Sequence, residues 1–273
     1  MKKRIITLAL TLLMAVSLFG ATAFAAPAQT LCIDVPESVS YVTDLNRVKA
    51  GNIVFYPNSM LESDAQYPVI VWANGTCCPT VTYYSICGQM AQRGYVVVAN
   101  TTLMSANGKA QIASLDYILD KSNDPDSIFY GKIDAERVGA AGHSQGGRSA
   151  VNAAAADARI KALVSVAGSS FTNEVKGLMT PSLFLTGTAD LMVLSSLWVK
   201  PAYNNVAGPA AYASMKLAPH TACWFKPEAI AEYSAAWFDA FLNQDAAARA
   251  VFMPGGALSS DSAWTDFESK NIA

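Results

Sequence analysis

The middle of the chain alternates between two hydrophobic periods. "YPVIVWANG" (67–75) is a continuous apolar run ending in turn residues, the pattern of a strand buried on both faces. "YSICGQMAQRG" (84–94) predicts a helix that stops at Gly94, and "YVVVANT" (95–101) is the next buried run. Residues 107–121 are helical by spacing, with Ile112, Leu115 and Leu119 on one face. "RVGAAG" (137–142) predicts a strand and "GGRSAVNAAAA" (146–156) a helix. Further strands are predicted at 51–57, 160–168, 181–187 and 211–217. "PEAIAEYSAAWFDAFLN" (227–243) is a long amphipathic helix, with Pro227 suited to its first turn.

Buried strands joined by helical crossovers make an α/β fold: a mostly parallel central sheet with helices on both faces. Active residues in such sheets gather on loops at the carboxyl ends of the strands.

The first residues lie outside this pattern. "MKKR" is basic, residues 5–25 are apolar and uncharged, and Ala23-Phe24-Ala25 puts small residues where a signal peptidase reads them. The expectation is a signal peptide, 1–25, cleaved near Ala25-Ala26, followed by a single domain, 26–273. An uncleaved anchor is the alternative, since the apolar run is long enough to span a bilayer. The processed chain would be secreted or periplasmic, with no transmembrane anchor.

Cleavage would leave 16 Lys+Arg against 21 Asp+Glu, moving the net charge from −2 to −5. There is no basic cluster, which argues against a nucleic-acid partner. With 15% charged and 52% hydrophobic residues, the chain is a globule and not a disordered segment. A monomer is expected.

Five cysteines (Cys32, Cys77, Cys78, Cys87 and Cys223) enter an oxidising compartment on this reading, so some should pair, with at least one left over. Cys78 with Cys87, or Cys77 or Cys78 with Cys223, are the pairings considered. Adjacent cysteines and two histidines without helical spacing make a metal site a poor reading, and neither metal nor organic cofactor is expected.

The chemistry centres on "RVGAAGHSQGG". Ser144 follows a predicted strand and opens a predicted helix, with Gly142 two before it and Gly146 two after. A serine at the apex of so tight a turn needs small neighbours at both positions, and its hydroxyl then projects clear of the sheet. The helix N-terminus supplies positive potential where an oxyanion would form. A glycine-rich helix cap is the bland alternative.

Serine needs a base, and the base an acid. His143 is adjacent to Ser144, but successive side chains diverge at such a turn, so it should pack there and not act as the base. His220, past the last predicted strand, is the expected base, and Asp190, just after the 181–187 strand, the expected acid. The oxyanion donors are expected to be the backbone N–H groups of Gln145 and of Thr76, in "ANGTCC", with Cys77 as the fallback. Gly75, Cys77, His143 and Ser169 are the candidate substrate-side residues. Activity should fall as acid protonates His220.

These residues resemble the α/β-hydrolase superfamily. More narrowly, they resemble its lidless secreted branch of bacterial cutinases, polyester (PET) hydrolases, and chlorophyllase-like and dienelactone-hydrolase-like esterases. The resemblance runs over roughly residues 50–253 and is carried by "PVIVWANGT", "IASLDYIL", "DAERVGAAGHSQGG", "TPSLFLTGTADLMV" and "PHTACW". It implies an α/β-hydrolase fold without a cap domain and a secreted serine esterase acting on carboxylic esters, lipid and polymer esters included. Thr76 stands where bacterial polyester hydrolases carry an aromatic, Gln145 where they usually have Met, and Ser169 where many have Trp; these departures bear on PET cleavage, not on esterase activity. Only residues 169–180 separate two strands where such hydrolases insert a lid, too few for a helical cap, so Ser144 should lie in an open groove. Acyl transfer or amide cleavage by the same triad is the alternative activity, and a non-catalytic binding module the alternative of another class.

Overall fold

The structure is a computed structural model that describes residues 31–45 and 51–272. The expected signal peptide lies outside the described residues. Among those described, nine strands form one sheet: β1 (Val39–Asp44), β2 (Asn52–Pro57), β3 (Tyr67–Ala73), β4 (Val96–Asn100), β5 (Ile133–His143), β6 (Ile160–Val166), β7 (Ser182–Gly187), β8 (Ala210–Met215) and β9 (Trp264–Lys270). Their order is β1-β2-β4-β3-β5-β6-β7-β8-β9. The six from β4 to β8 run parallel, while β1, β2 and β9 are antiparallel additions at the edges.

Both faces are covered, which explains the unbroken apolar runs. In β3, Val69 and Val71 enter one core and Ile70 and Trp72 the other. The Ile70 side packs against α1 (Tyr84–Gln92) through Ile86 and Met90. The Val69 side packs against Leu115 and Ile118 of α2 (Lys109–Asn123) and Ala150 and Val151 of α3 (Gln145–Ala156). Two short helices follow, α4 (Thr172–Val175) and α5 (Val199–Asn205), the latter on the Val69 side through Val199 and Ala202. After β8 come α6 (Ala222–Phe225) and α7 (Pro227–Phe241), whose Ile230, Trp237 and Phe238 join the Ile70 side. The expected α/β-hydrolase fold is borne out.

The sequence reading missed β1 and β9. Each buries only one terminal residue, Val39 or Trp264, and leaves the rest partly or wholly exposed, so neither has an apolar run. It also started β5 late, because Asp134, Ala135 and Glu136 sit on the exposed side of a register shift opposite Pro68/Val69. Among the described residues no helix is long and apolar enough to cross a membrane.

Candidate active site

Ser144 sits between the last residue of β5 and the first of α3, with φ 57° and ψ −121°. An L-residue is strained there, and the turn holds it by donating Ser144 N–H to Val166 O at 2.8 Å and accepting Gly147 N–H at 2.9 Å. Ser144 holds the N-cap position of α3, but its side chain makes no capping bond, so the hydroxyl is not spent on the helix. A Cβ on Gly142 would lie 2.5 Å from the Gly146 carbonyl carbon, and one on Gly146 would lie 2.6 Å from that of Ala73. The two glycines are what let β3, the turn and the helix close together.

Loops after β7 and β8 bring Asp190 and His220 to this point. His220 Nε2 lies 2.9 Å from Ser144 Oγ, and its Nδ1 lies 2.8 Å from Asp190 Oδ2. Asp190 is buried, and its Oδ1 accepts the Val193 and Met192 N–H groups at 2.8 and 2.9 Å. Burial alone would push its pKa up; the hydrogen bond from His220, the two N–H donors and the charge of His220 outweigh that and hold it below the usual carboxylate range. An ionised Asp190 accepts the Nδ1–H of His220. That leaves Nε2 bare to accept the Ser144 proton.

Thr76 follows β3 and is exposed; Gln145 is the first residue of α3. Neither backbone N–H has an acceptor among the described residues. Gln145 Nε2 donates to Thr76 Oγ1 at 3.0 Å, which sets the two residues side by side, and Gln145 Oε1 accepts Ser105 N–H at 2.5 Å. Cys77, the fallback donor, is spent: its N–H bonds Leu103 O at 2.9 Å.

Two substrate-side expectations are corrected. His143 is 1% exposed, with both ring nitrogens engaged inside the protein, and Gly75 is buried against the Tyr83 hydroxyl and His143. A side chain sealed from solvent cannot line a groove. Cys77 remains exposed and Ser169 half-buried. The cysteine expectation also changes: no disulfide joins Cys78 to Cys87, or Cys77 or Cys78 to Cys223. Burial pushes the Cys87 and Cys223 thiols well up. Among the described residues no group of three or more His, Cys, Asp or Glu side chains is placed to hold a metal.

The sequence reading missed the polar scaffold beneath the site. Asn74 Nδ2 donates to Thr80 Oγ1 and Asn100 O, both at 2.9 Å, bracing the loop that carries Thr76. Gln111 Nε2 ties Val71 O and Ala141 O of neighbouring strands. Tyr83 bonds His143. None of these stands in a motif; burial alone marks them.

The lid position holds only four-residue α4; exposed Leu191, Met192 and Leu217 lie on the loops that carry Asp190 and His220, and exposed Leu103 and Met104 on the loop after β4, where Met104 Sδ lies 3.7 Å from Gln145 Nε2. A recess of about 690 Å³ is lined by Ile160 and Pro181 at the amino ends of β6 and β7, at the opposite end of the sheet from Ser144.

A family model described as PET hydrolase-like matches residues 35–267. Cutinase est2 of Thermobifida alba is 27% identical over 212 residues, covering 75% of this chain and 68% of its own length. Bis(hydroxyethyl) terephthalate hydrolase of Streptomyces coelicolor is 26% identical over 202 residues, covering 71% of this chain and 63% of its own. Cutinase est1 of Thermobifida alba is 26% identical, covering 75% and 69%.

Proposed function

The chain belongs to the PET hydrolase-like family, and from that premise we propose a secreted, monomeric serine hydrolase that cleaves carboxylic esters through Ser144, His220 and Asp190. Ester hydrolysis comes with the family and with the cutinase and bis(hydroxyethyl) terephthalate hydrolase relatives. The mechanism rests on one observation: an unbroken run of hydrogen bonds from Asp190 through His220 to Ser144. With only four-residue α4 at the lid position, the groove over Ser144 is read as open.

Ser144 Oγ attacks the ester carbonyl carbon while His220 Nε2 takes its proton. Asp190 holds Nδ1–H and stabilises the imidazolium. The carbonyl oxygen becomes an oxyanion facing the Thr76 and Gln145 N–H groups, with the positive end of α3 behind them. The tetrahedral intermediate collapses, the C–O bond to the alcohol breaks, and His220 returns its proton to the departing oxygen. Water then gives a proton to His220 and attacks the acyl-serine. Collapse of this second intermediate frees the acid, and Ser144 recovers its proton from His220.

The exposed apolar residues on the site loops support an apolar ester, and the missing cap supports esters presented on a bulky or polymeric body. The basic start, apolar run and Ala23-Phe24-Ala25 support export.

Labelling the folded protein with a fluorophosphonate and mapping the adduct tests the reading. Modification of Ser144 that abolishes hydrolysis of aryl esters is expected. An adduct elsewhere, with activity lost, would overturn the assignment of the nucleophile.

A further inference from the structure

A buried chain of hydrogen bonds that the serine chemistry does not use connects the oxyanion loop to the base loop behind the groove. Gly75 N–H donates to the Tyr83 hydroxyl at 3.0 Å, the hydroxyl lies 2.9 Å from His143 Nδ1, and His143 Nε2 lies 2.8 Å from His220 O. Proton positions follow from the acceptors. A carbonyl only accepts, so His143 Nε2 carries a hydrogen. Burial, then the neighbouring charge of His220, hold the His143 pKa down at about 3 against the opposing pull of its His220 bond and of Asp190, so the ring is neutral and Nδ1 bare. Nδ1 therefore accepts the Tyr83 O–H, and the same oxygen accepts Gly75 N–H.

Tyr83 ends the short 3-10 turn Thr80–Tyr83 that leads into α1, and its ring is wedged between Trp72 and Trp224, with centroids 5.4 and 6.3 Å away. Tyr83 is 0% and His143 1% exposed, so no solvent stands ready to replace a lost partner. One end of the chain is the backbone of the base; the other is the residue before Thr76.

We propose that Tyr83 is a positioning residue of the hydrolase. Acting through His143 it sets where His220 stands against Ser144, and acting through Gly75 it sets the direction of the Thr76 N–H. The proposal rests on the Ser144–His220–Asp190 reading.

The chain has two histidines, so nitrogen NMR of histidine-labelled protein resolves both rings. The expected resting state has opposite tautomers: Nε2 protonated on His143, Nδ1 protonated on His220. A proton on His143 Nδ1 would overturn the proposal without any variant. In Tyr83→Phe the His220 carbonyl should keep the proton on His143 Nε2, while the Nδ1 signal should shift as that nitrogen loses its hydrogen bond from the hydroxyl. Its kcat per titrated serine, measured well below the melting temperature, should fall about tenfold with KM within twofold, the scale of a small displacement of a catalytic group. An unchanged kcat and unchanged His143 signals would also overturn it, since a merely structural tyrosine would move only the melting temperature. Fluorophosphonate labelling of the wild type keeps the premise separate: no adduct at Ser144 sinks the triad reading, whereas an adduct with a wild-type-like Tyr83→Phe sinks only the role of Tyr83.

Discussion

His143 Nε2 donates to the backbone carbonyl of His220 at 2.8 Å, with the two rings 4.7 Å apart. The histidine next to the serine in sequence thus supports the base from behind and does not compete with it. The arrangement requires His143 to stay neutral.

Acid should therefore unfold the protein through His143. Its folded pKa is held near 3, against an ordinary 6.5, chiefly by burial. Between those values the unfolded chain binds a proton that the folded chain does not. Stability then falls as pH drops through the window, by up to about 1.4 kcal/mol per pH unit. Asp190, whose pKa is lowered on folding, acts in the same direction: its contribution is present above the unfolded pKa and lost as pH falls through the folded one. Urea unfolding between pH 7 and 4 measures the slope, which His143→Gln should flatten. Equal slopes in both proteins would refute the burial account.

Asp190→Asn should separate orientation from structure. The amide keeps the size of the carboxylate, and its oxygen can still accept the Met192 and Val193 N–H groups. Its NH2 then faces His220 Nδ1, which must turn a lone pair toward it and a proton toward Ser144. That is the wrong tautomer for a base. On the scale of the same change in another serine hydrolase, kcat should fall by about 10⁴ with little change in KM. A loss below tenfold in steady-state kinetics would mean that another group orients His220.

How much of this was legible in the sequence depended on which forces left a pattern. The central strands were readable because burial on both faces makes a run such as "VIVWA" uniformly apolar. Ser144, His220 and Asp190 could be proposed because a strained turn restricts its neighbours to glycine and because strand ends carry the chemistry. The edge strands left no pattern: "VSYVTD" and "WTDFESK" answer to pairing partners, not to a core. Tyr83 was invisible for a related reason. It bonds a residue 60 positions away, and nothing local distinguishes it from its neighbour Tyr84, which packs against Tyr41 and Phe55.

Two glycine substitutions should differ sharply. A Cβ at Gly146 would overlap the Ala73 carbonyl oxygen and sit 2.8 Å from Asn74 O, and β3 cannot retreat because it pairs with both β4 and β5. Gly146→Ala should cost more than about 3 kcal/mol or fail to fold. Gly94 has φ +95° but nothing within 4 Å of its Cβ position, so Gly94→Ala carries only backbone strain, about 1–2 kcal/mol. Urea midpoints of the two variants measure this, and the reverse order would contradict the packing of the turn.

Thiol reactivity should follow burial. Cys77 is exposed, whereas Cys87 and Cys223 are buried, with thiols pushed well above their ordinary range by desolvation. A bulky maleimide should modify Cys77 in the folded protein and leave the other two untouched until denaturant is added. Peptide mass mapping reads the result. Protection of Cys77 would mean that it is covered or paired in solution.

Gln145→Ala tests whether the residue after the nucleophile works through its backbone or its side chain. The backbone N–H heads α3, and alanine keeps it. The side chain bridges Thr76 Oγ1 and Ser105 N–H and contacts Met104 Sδ at 3.7 Å, so it occupies the groove beside the nucleophile. Alanine loses two hydrogen bonds, about 1 kcal/mol each, and opens that space. If only the N–H serves the oxyanion, kcat on a short aryl ester should stay within about tenfold, far from the 10²–10³ loss that follows removal of an oxyanion donor. Relative kcat/KM for bulky over acetyl esters should rise, because the space vacated by the amide becomes available to the acyl group. A loss beyond about a hundredfold on the short ester would instead make the Gln145 amide itself the donor, and the Thr76 side-chain bridge would then be a resting arrangement that opens when substrate binds.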